Sequence, residues 1–67
     1  MITIYNIKKN TLKNNKSYIL AELRGLHDDE KPVSLDEGII DNGSAFIEID
    51  TGDVYLYDIV SETWNEV

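Results

Sequence analysis

The chain contains no cysteine, one proline and one tryptophan among its 67 residues. Without cysteine it has neither disulfides nor thiolate metal ligands, so two common ways of stabilising a small domain are excluded. A single domain of this length buries only about 60% of the surface that its unfolded chain exposes, which leaves its stability marginal. Sharing a core with further subunits is the usual remaining remedy, and we therefore expect a homo-oligomer.

Long hydrophobic runs are missing as well. No segment approaches the roughly 20 apolar residues that a transmembrane helix needs, and the first residues form no apolar signal region. We therefore expect a protein that is synthesised in the cytoplasm and does not contact a membrane.

Catalytic and metal-binding motifs are also lacking. His27 is the only histidine, and it lies beside the acidic residues 28–30. No serine or threonine stands at a spacing that would pair it with this histidine as nucleophile and base. The acidic clusters do not have the spacing of a calcium-binding loop. We expect no catalytic residue, no metal or cofactor, and no enzymatic activity.

Positive charge is scarce and unevenly placed. The net charge is −7, but residues 1–24 carry five basic residues against one acid, a net +4, and residues 25–67 carry one base against twelve acids, a net −11. We read residues 1–67 as a single β domain with a basic part at 1–24 and an acidic part at 25–67. The excess of acid opposes direct binding of nucleic acid, whereas oppositely charged surfaces favour self-assembly. Alternatively, the acids only keep a small protein soluble.

The clearest local pattern consists of two alternating runs on either side of a tight-turn signal at Asp50, Thr51, Gly52 and Asp53. If Thr51 and Gly52 form a two-residue loop, Asp50 faces Asp53 and the runs pair as an antiparallel hairpin. The alternative is a three-residue loop with Gly52 in the left-handed conformation, which would place Ile49 opposite Asp53. Both loops need a positive φ, which glycine adopts at no steric cost.

The two-residue register sorts the hairpin side chains into two faces. One face is aliphatic and consists of Ile47, Ile49, Val54 and Leu56. The other is mixed and consists of Phe46, Glu48, Tyr55 and Tyr57. We expect the aliphatic face to build the small core. Aromatic side chains dominate the energetics of protein interfaces, so the predicted interface residues are Phe46, Tyr55, Tyr57 and Trp64.

The remaining segments complete an all-β prediction. Residues 2–7 and 63–67 alternate as strands do, and residues 18–24 form a further strand, with a helix as its competitor because several of them are good helix formers. The asparagine-rich run 8–17 is typical of a mobile loop or a long hairpin turn, and residues 25–43 lack any periodicity. The sequence therefore predicts a small antiparallel meander of about five short strands with one long irregular loop.

Several segments, read together, resemble a recurring pattern in small phage proteins. They are residues 23–26 (LRGL), 31–32 (KP), 42–58 (NGSAFIEIDTGDVYLYD) and 63–67 (TWNEV). The order of NGS, IDTG, VYLYD and W-x-E-V is less easily produced by chance than the alternation of a hairpin. Over residues 17–67 the chain is similar to small head-fibre or decoration proteins encoded near the capsid genes of phages and prophages of Firmicutes. The family pattern has a basic residue where Asp53 stands.

The resemblance implies a virion-associated accessory protein that acts by protein–protein binding and self-assembly. Its partners would be its own subunits and the capsid or another virion protein, and it would be located in the virion. It implies no enzyme and carries no catalytic residues over to this chain. The alternative is a small acidic inhibitor encoded by a phage, which would bind a host defence protein through the acidic surface of residues 25–53, with mimicry of nucleic acid as one way to do so.

Overall fold

The computed structural model describes residues 2–67, apart from the side chain of Lys9. It confirms the all-β class, with a single sheet of seven strands. The strands are β1 (Thr3–Lys13), β2 (Lys16–Gly25), β3 (Ser34–Leu35), β4 (Gly38–Ile40), β5 (Ala45–Glu48), β6 (Val54–Asp58) and β7 (Thr63–Glu66). In the described part of the chain, no helical segment has the length and apolar character required to span a bilayer.

The first hairpin is longer than the sequence predicts. We expected a mobile loop or a long hairpin turn at residues 8–17, but β1 continues to Lys13 and β2 begins at Lys16. The turn consists only of Asn14 and Asn15, both with positive φ, 52° and 63°. Asparagine tolerates this left-handed conformation, and two such residues in succession give a turn whose twist matches that of the flanking strands. The polar run therefore forms paired strands instead of a loop.

Strand β2 is the centre of the sheet. It pairs with β1 along one edge in antiparallel fashion, and with β4 and β5 along the other edge, both in parallel. The predicted five-stranded antiparallel meander is therefore matched only in part: β1–β2, β3–β4, β5–β6 and β6–β7 are antiparallel, but the sheet has seven strands and two of its pairings are parallel. The physical reason is that residues 26–33 carry the chain back across the sheet, so the following pairs run in the direction of β2. We name residues 26–33 the crossover segment.

The stretch 25–43, which we expected to be irregular, contains two strands. β3 and β4 form a small antiparallel hairpin, in which the amide of Ile40 donates to the carbonyl of Val33 at 3.1 Å. The side chain of Ile40 is fully buried in the core. Strands this short have no detectable sequence period, because one or two alternations cannot be told from chance.

Ser44 joins β4 to β5 along the edge of β2. Where β4 ends, the amide of Asp41 donates to the carbonyl of Ile19 at 2.8 Å. The next free amide of β2, that of Ala21, donates to the Ser44 hydroxyl at 3.1 Å. This hydroxyl is completely buried and also lies 3.4 Å from the carbonyl oxygen of Ile19. The Ser44 side chain thus supplies the hydrogen-bond acceptor that a neighbouring strand would supply, at the point where β4 ends and β5 begins.

The second hairpin has a different register from the predicted one. β5 pairs with β6 through Phe46 opposite Tyr55 and Ile47 opposite Val54. Our two-residue loop would have placed Phe46 opposite Tyr57, so the observed pairing is displaced by two residues. The alternative three-residue loop is wrong as well, because it would have placed residues of the aliphatic face opposite residues of the mixed face. A shift of two residues leaves the composition of the faces unchanged.

The turn of this hairpin does lie at the predicted residues, and Gly52 has the expected positive φ of 82°. Its closing hydrogen bond joins the Glu48 amide to the Asp53 carbonyl at 2.9 Å. The loop is wider than predicted because its side chains make contacts that a two-residue turn would prevent. The Thr51 hydroxyl donates to the Glu48 carboxylate at 2.8 Å, and the Asp50 carboxylate accepts the His27 amide at 3.0 Å.

The core lies on the opposite face from the one we predicted. Phe46 and Tyr57 are 0% and 3% exposed, whereas Val54 and Leu56 are 36% and 44% exposed. The alternation separates these side chains correctly, but the mixed aromatic face points inward because the crossover segment lies across it. The buried core consists of Ile19, Ala21, Leu23, Ile40, Phe46 and Tyr57.

Candidate functional site

The crossover segment is attached to the inner face by a buried ion pair. The Lys31 ammonium lies 2.7 Å from the Glu48 carboxylate, and both side chains are largely buried. The same ammonium lies 4.3 Å from the ring centre of Tyr55 and 4.8 Å from that of Phe46. The hydrogen bond from Lys31 holds the pKa of the Glu48 carboxyl below its ordinary value, with a further contribution from the Thr51 hydroxyl. The negative charge of Glu48 is therefore neutralised within the chain.

A second attachment comes from the tryptophan. The Trp64 indole N–H donates to the carbonyl of Pro32 at 2.9 Å. Its ring packs on those of Tyr57 and Phe46, with centres 5.0 Å and 5.9 Å apart. Edge and tilted contacts of this kind are favourable arrangements for aromatic pairs. Trp64 thus connects the last strand to the crossover segment.

The four aromatic residues predicted as an interface are brought together, but on the inner face. Phe46 and Tyr57 belong to the buried core, and Tyr55 and Trp64 pack against it as partly buried neighbours. In this conformation Phe46 and Tyr57 offer no surface to a partner. The predicted cluster exists, and its observed contacts stabilise the fold of the chain itself.

The opposite side of the sheet is the candidate functional surface. Its side chains follow from the strand registers, in which Ala45 faces Leu56 and Ile47 faces Val54. We name this surface the outer apolar patch, and it consists of Leu20, Ala45, Ile47, Val54, Leu56 and Val67. Contiguous apolar side chains on a sheet face that no other element covers are typical of interaction surfaces.

Charge is distributed unequally on the two sides of the patch. β1 carries three lysines and no acid, whereas residues 54–66 of the β6–β7 hairpin carry three acids and no base. Next to β1, the Arg24 guanidinium stacks on the Tyr5 ring at 3.7 Å and donates to Glu22 at 3.3 Å. The Lys8 ammonium lies 3.7 Å from the same carboxylate. The charged side chains that lie beside the patch on the outer side are therefore Lys8, Glu22, Arg24 and Asp58, because Glu62 lies in a turn and Glu66 is opposite Tyr55 on the inner side.

One end of the molecule collects acidic residues around His27. Its amide donates to one oxygen of Asp50 at 3.0 Å, and its Nδ1 hydrogen-bonds to the other. The hydrogen bond with Asp50 raises the pKa of His27, and the same bond lowers the pKa of Asp50. This contact brings acidic residues 28–30 close to the hairpin turn. Within residues 2–67, no three histidine or acidic side chains are placed to hold a metal ion together.

A cleft of about 420 Å³ lies near the turn of the first hairpin. Its walls are formed by Thr11, Lys13, Asn14, Tyr18, Asp41 and Ile59. None of the predicted interface or turn residues contributes to it.

The sequence analysis assigned Ile47, Val54 and Leu56 of the outer apolar patch to the core, and one residue could have corrected this. Lys31 is the only base of the acidic part. Lys31 lies in the crossover segment and can pair with Glu48. This pairing would have indicated that the crossover segment covers the face that carries Glu48 and the aromatic residues. No comparable feature of the sequence indicated that Ser44 would be buried, because nothing in the sequence marks the end of a three-residue strand.

Comparisons of this chain with protein-family models, with curated proteins and with solved structures find no match.

Proposed function

We propose that this chain is a virion-associated accessory protein that acts by binding other proteins, and that it binds them through the outer apolar patch. One observation carries the binding site: Leu56 and Val54 are exposed on a sheet face, while Phe46 and Tyr57 of the same hairpin are buried. Because the aromatic residues form the core of this small domain, the aliphatic face is the apolar surface through which it can bind a partner. The assignment to a virion rests on the resemblance of residues 17–67 to phage head-fibre and decoration proteins.

The binding energy in this proposal comes from covering aliphatic side chains. Burial of apolar surface contributes about 25 cal/mol per Å², and large contiguous apolar patches on soluble proteins are typical of binding sites. Charged residues beside the patch add orientation and faster association more than affinity. The binding reaction needs no cofactor and no catalytic residue.

The direct test is quantitative mass spectrometry of purified particles of the phage or prophage that encodes the chain, scaled to the major capsid protein. We expect a copy number in fixed proportion to the capsid protein. The patch is tested by Leu56→Glu, with Val60→Glu as the matched control, because Val60 is more exposed and lies in a turn. We expect the first variant alone to be depleted from particles. Absence of the unmodified chain from particles would refute the proposal.

A second candidate function is an acidic inhibitor of a host protein. The observation that favours it is the contact between His27 and Asp50, which gathers acidic residues 28–30, Asp50 and Asp53 at one end of the molecule. Binding through this end should weaken steeply as the salt concentration rises, whereas binding through the outer apolar patch should not. Abundance in infected cells, absence from particles and a steep salt dependence of capture by host proteins would together favour this second function.

A further inference from the structure

We propose that Asn42 is a site of spontaneous deamidation, that the folded chain blocks the reaction through hydrogen bonds to residues 57–59, and that the isoaspartate product breaks the junction at Ser44. The sequence has six asparagines, and Asn42 is the only one that a glycine follows. Asparagine is a thermally labile residue in proteins. Glycine has no Cβ, so its amide nitrogen approaches the preceding side chain without steric hindrance.

The reaction is an attack of the main chain on a side chain. The amide nitrogen of Gly43 loses its proton to a base from the solvent and forms a bond to Cγ of Asn42. The bond between Cγ and Nδ2 breaks, and the released nitrogen takes up a proton and leaves as ammonia. Water then opens the cyclic imide at either of its two carbonyls. One opening gives aspartate, and the other gives isoaspartate, in which the main chain runs through the side-chain carbons of residue 42.

Hydrogen bonds, and not burial, protect this pair in the folded chain. Asn42 and Gly43 are both exposed, so water and hydroxide reach them. The attacking group is engaged, because the Gly43 amide donates to the carbonyl of Tyr57 at 2.9 Å. The Asn42 side chain is fixed as well, because its carboxamide oxygen accepts the amide of Ile59 at 3.2 Å. Both bonds go to residues 57–59, so a single local opening frees both reacting groups.

The turn requires the residue that makes Asn42 reactive. Gly43 has a φ of 88°, a left-handed conformation that other residues rarely adopt. A Cβ at this position would lie 3.8 Å from Cδ1 of Leu20, which is an ordinary contact. The backbone conformation, and not a lack of space, therefore demands glycine. The fold thus keeps a labile pair and depends on hydrogen bonding to protect it.

Isoaspartate at residue 42 would disturb the junction between β4 and β5, because it lengthens the main chain just before Ser44. The Ser44 side chain is fully buried, and its hydroxyl accepts the amide of Ala21 at 3.1 Å. The Ser44 carbonyl accepts the amide of Tyr57 at 2.9 Å. A longer main chain displaces Ser44 from these partners. Aspartate keeps the normal main chain and retains an oxygen that can accept the Ile59 amide.

The first experiment compares the rate of deamidation in the folded chain with the rate in guanidinium chloride, at the same mildly alkaline pH and temperature. Peptide mapping by mass spectrometry follows Asn42, with Asn15 as the internal control, because Asn15 is also exposed in a turn but precedes Lys16. In denaturant we expect Asn42 to react faster than Asn15. In the folded chain we expect Asn42 to react roughly tenfold or more slowly than in denaturant. Equal rates at Asn42 in the two states, or no faster reaction than at Asn15 in denaturant, would overturn the proposal.

Native-state hydrogen exchange tests whether the hydrogen bond of Gly43 is the cause of the protection. Exchange of the Gly43 amide and deamidation of Asn42 both require that amide to be free. The factor by which folding slows deamidation should therefore agree with the protection of the Gly43 amide to within roughly tenfold. A strongly protected amide beside an unprotected Asn42, or the reverse, would refute the hydrogen bond as the protecting element.

The second experiment compares the two products of the reaction. The aspartate product is prepared as Asn42→Asp, and the isoaspartate product is purified by chromatography after deamidation in denaturant and is then returned to buffer. The two chains carry the same charge and differ only in the main chain at residue 42. We expect the isoaspartate chain to unfold at a lower urea concentration than Asn42→Asp, with faster exchange of the Ala21 amide. Equal unfolding midpoints would refute the break at Ser44.

Discussion

Replacing Ser44 with alanine removes one oxygen atom at the point where β4 gives way to β5 along the edge of β2. The Ser44 side chain is fully buried, and its hydroxyl accepts the amide of Ala21 at 3.1 Å. Ala21 is 2% exposed, so water cannot readily replace the lost acceptor. A buried donor that loses its acceptor costs about 1–3 kcal/mol. The free energy of unfolding of small proteins is about 0.05–0.15 kcal/mol per residue, so we expect a large fraction of the total to be lost.

Two measurements examine this expectation. Urea unfolding followed by the fluorescence of Trp64 gives the change in free energy, and the slope of free energy against urea should be unchanged if the fold is retained. Native-state hydrogen exchange gives the local effect, because the Ala21 amide should exchange faster in Ser44→Ala than in the unmodified chain. The matched control is Ser61→Ala, which removes the same atom at an exposed turn residue and should change the free energy by less than about 0.5 kcal/mol.

Either of two results would refute the reasoning. If Ser44→Ala and Ser61→Ala unfold at the same urea concentration, the hydrogen bond from the Ala21 amide to the Ser44 hydroxyl contributes little to the stability of the fold. If Ser44→Ala is destabilised but the Ala21 amide keeps its protection, the loss arises from packing around the site and not from that hydrogen bond.

Further predictions concern Gly25, His27 and Glu62. Gly25→Ala would place a Cβ atom 2.8 Å from the Cζ of Phe46; overpacking of this kind costs about 1–3 kcal/mol, and urea unfolding should show it. The pKa of His27 should lie above 6.5 in an NMR titration and return towards that value in Asp50→Asn; an unchanged pKa would contradict the contact. Because folding raises the pKa of His27, the stabilisation is fully present below pH 6.5 and should be lost as the pH rises through the folded value. Glu62 has a φ of 56°, so Glu62→Gly should stabilise the fold by up to about 1 kcal/mol in thermal unfolding, because relief of a left-handed residue exceeds the entropic cost of glycine.

The parts of the fold that could be predicted are those governed by local chemistry. Alternation identified the strands of the second hairpin and the last strand, and glycine identified the turn that needs a positive φ at residue 52. The parallel pairing of β2 with β4 and β5 could not be predicted, because it depends on where residues 26–33 return across the sheet. The mobile loop or long hairpin turn expected at residues 8–17 is only a two-residue turn for another reason, since polar residues also form strands when a tight turn pairs them.

The candidate site could also be predicted from the sequence only in part. The alternation correctly separates Phe46 and Tyr57 from Val54 and Leu56, but it contains no information on which of the two faces the rest of the chain will cover. That choice depends on tertiary contacts, above all the ion pair of Lys31 with Glu48 and the hydrogen bond of Trp64 to the crossover segment. A face rich in aromatic residues and a face rich in aliphatic residues are both able to form a core, so burial cannot be read from hydrophobicity alone.

The position of β2 has a consequence for how the chain folds. The basic residues 1–24, with a net charge of +4, make up almost the whole first hairpin, and the remainder carries −11. These two oppositely charged portions meet along a single edge of β2, where the parallel contacts join residues 21 to 23 positions apart in the sequence. Loop closure that brings distant segments together is the slow part of folding a β protein. Mutual attraction of the two portions favours that step, so the folding rate, more than the final stability, should decrease as salt is added.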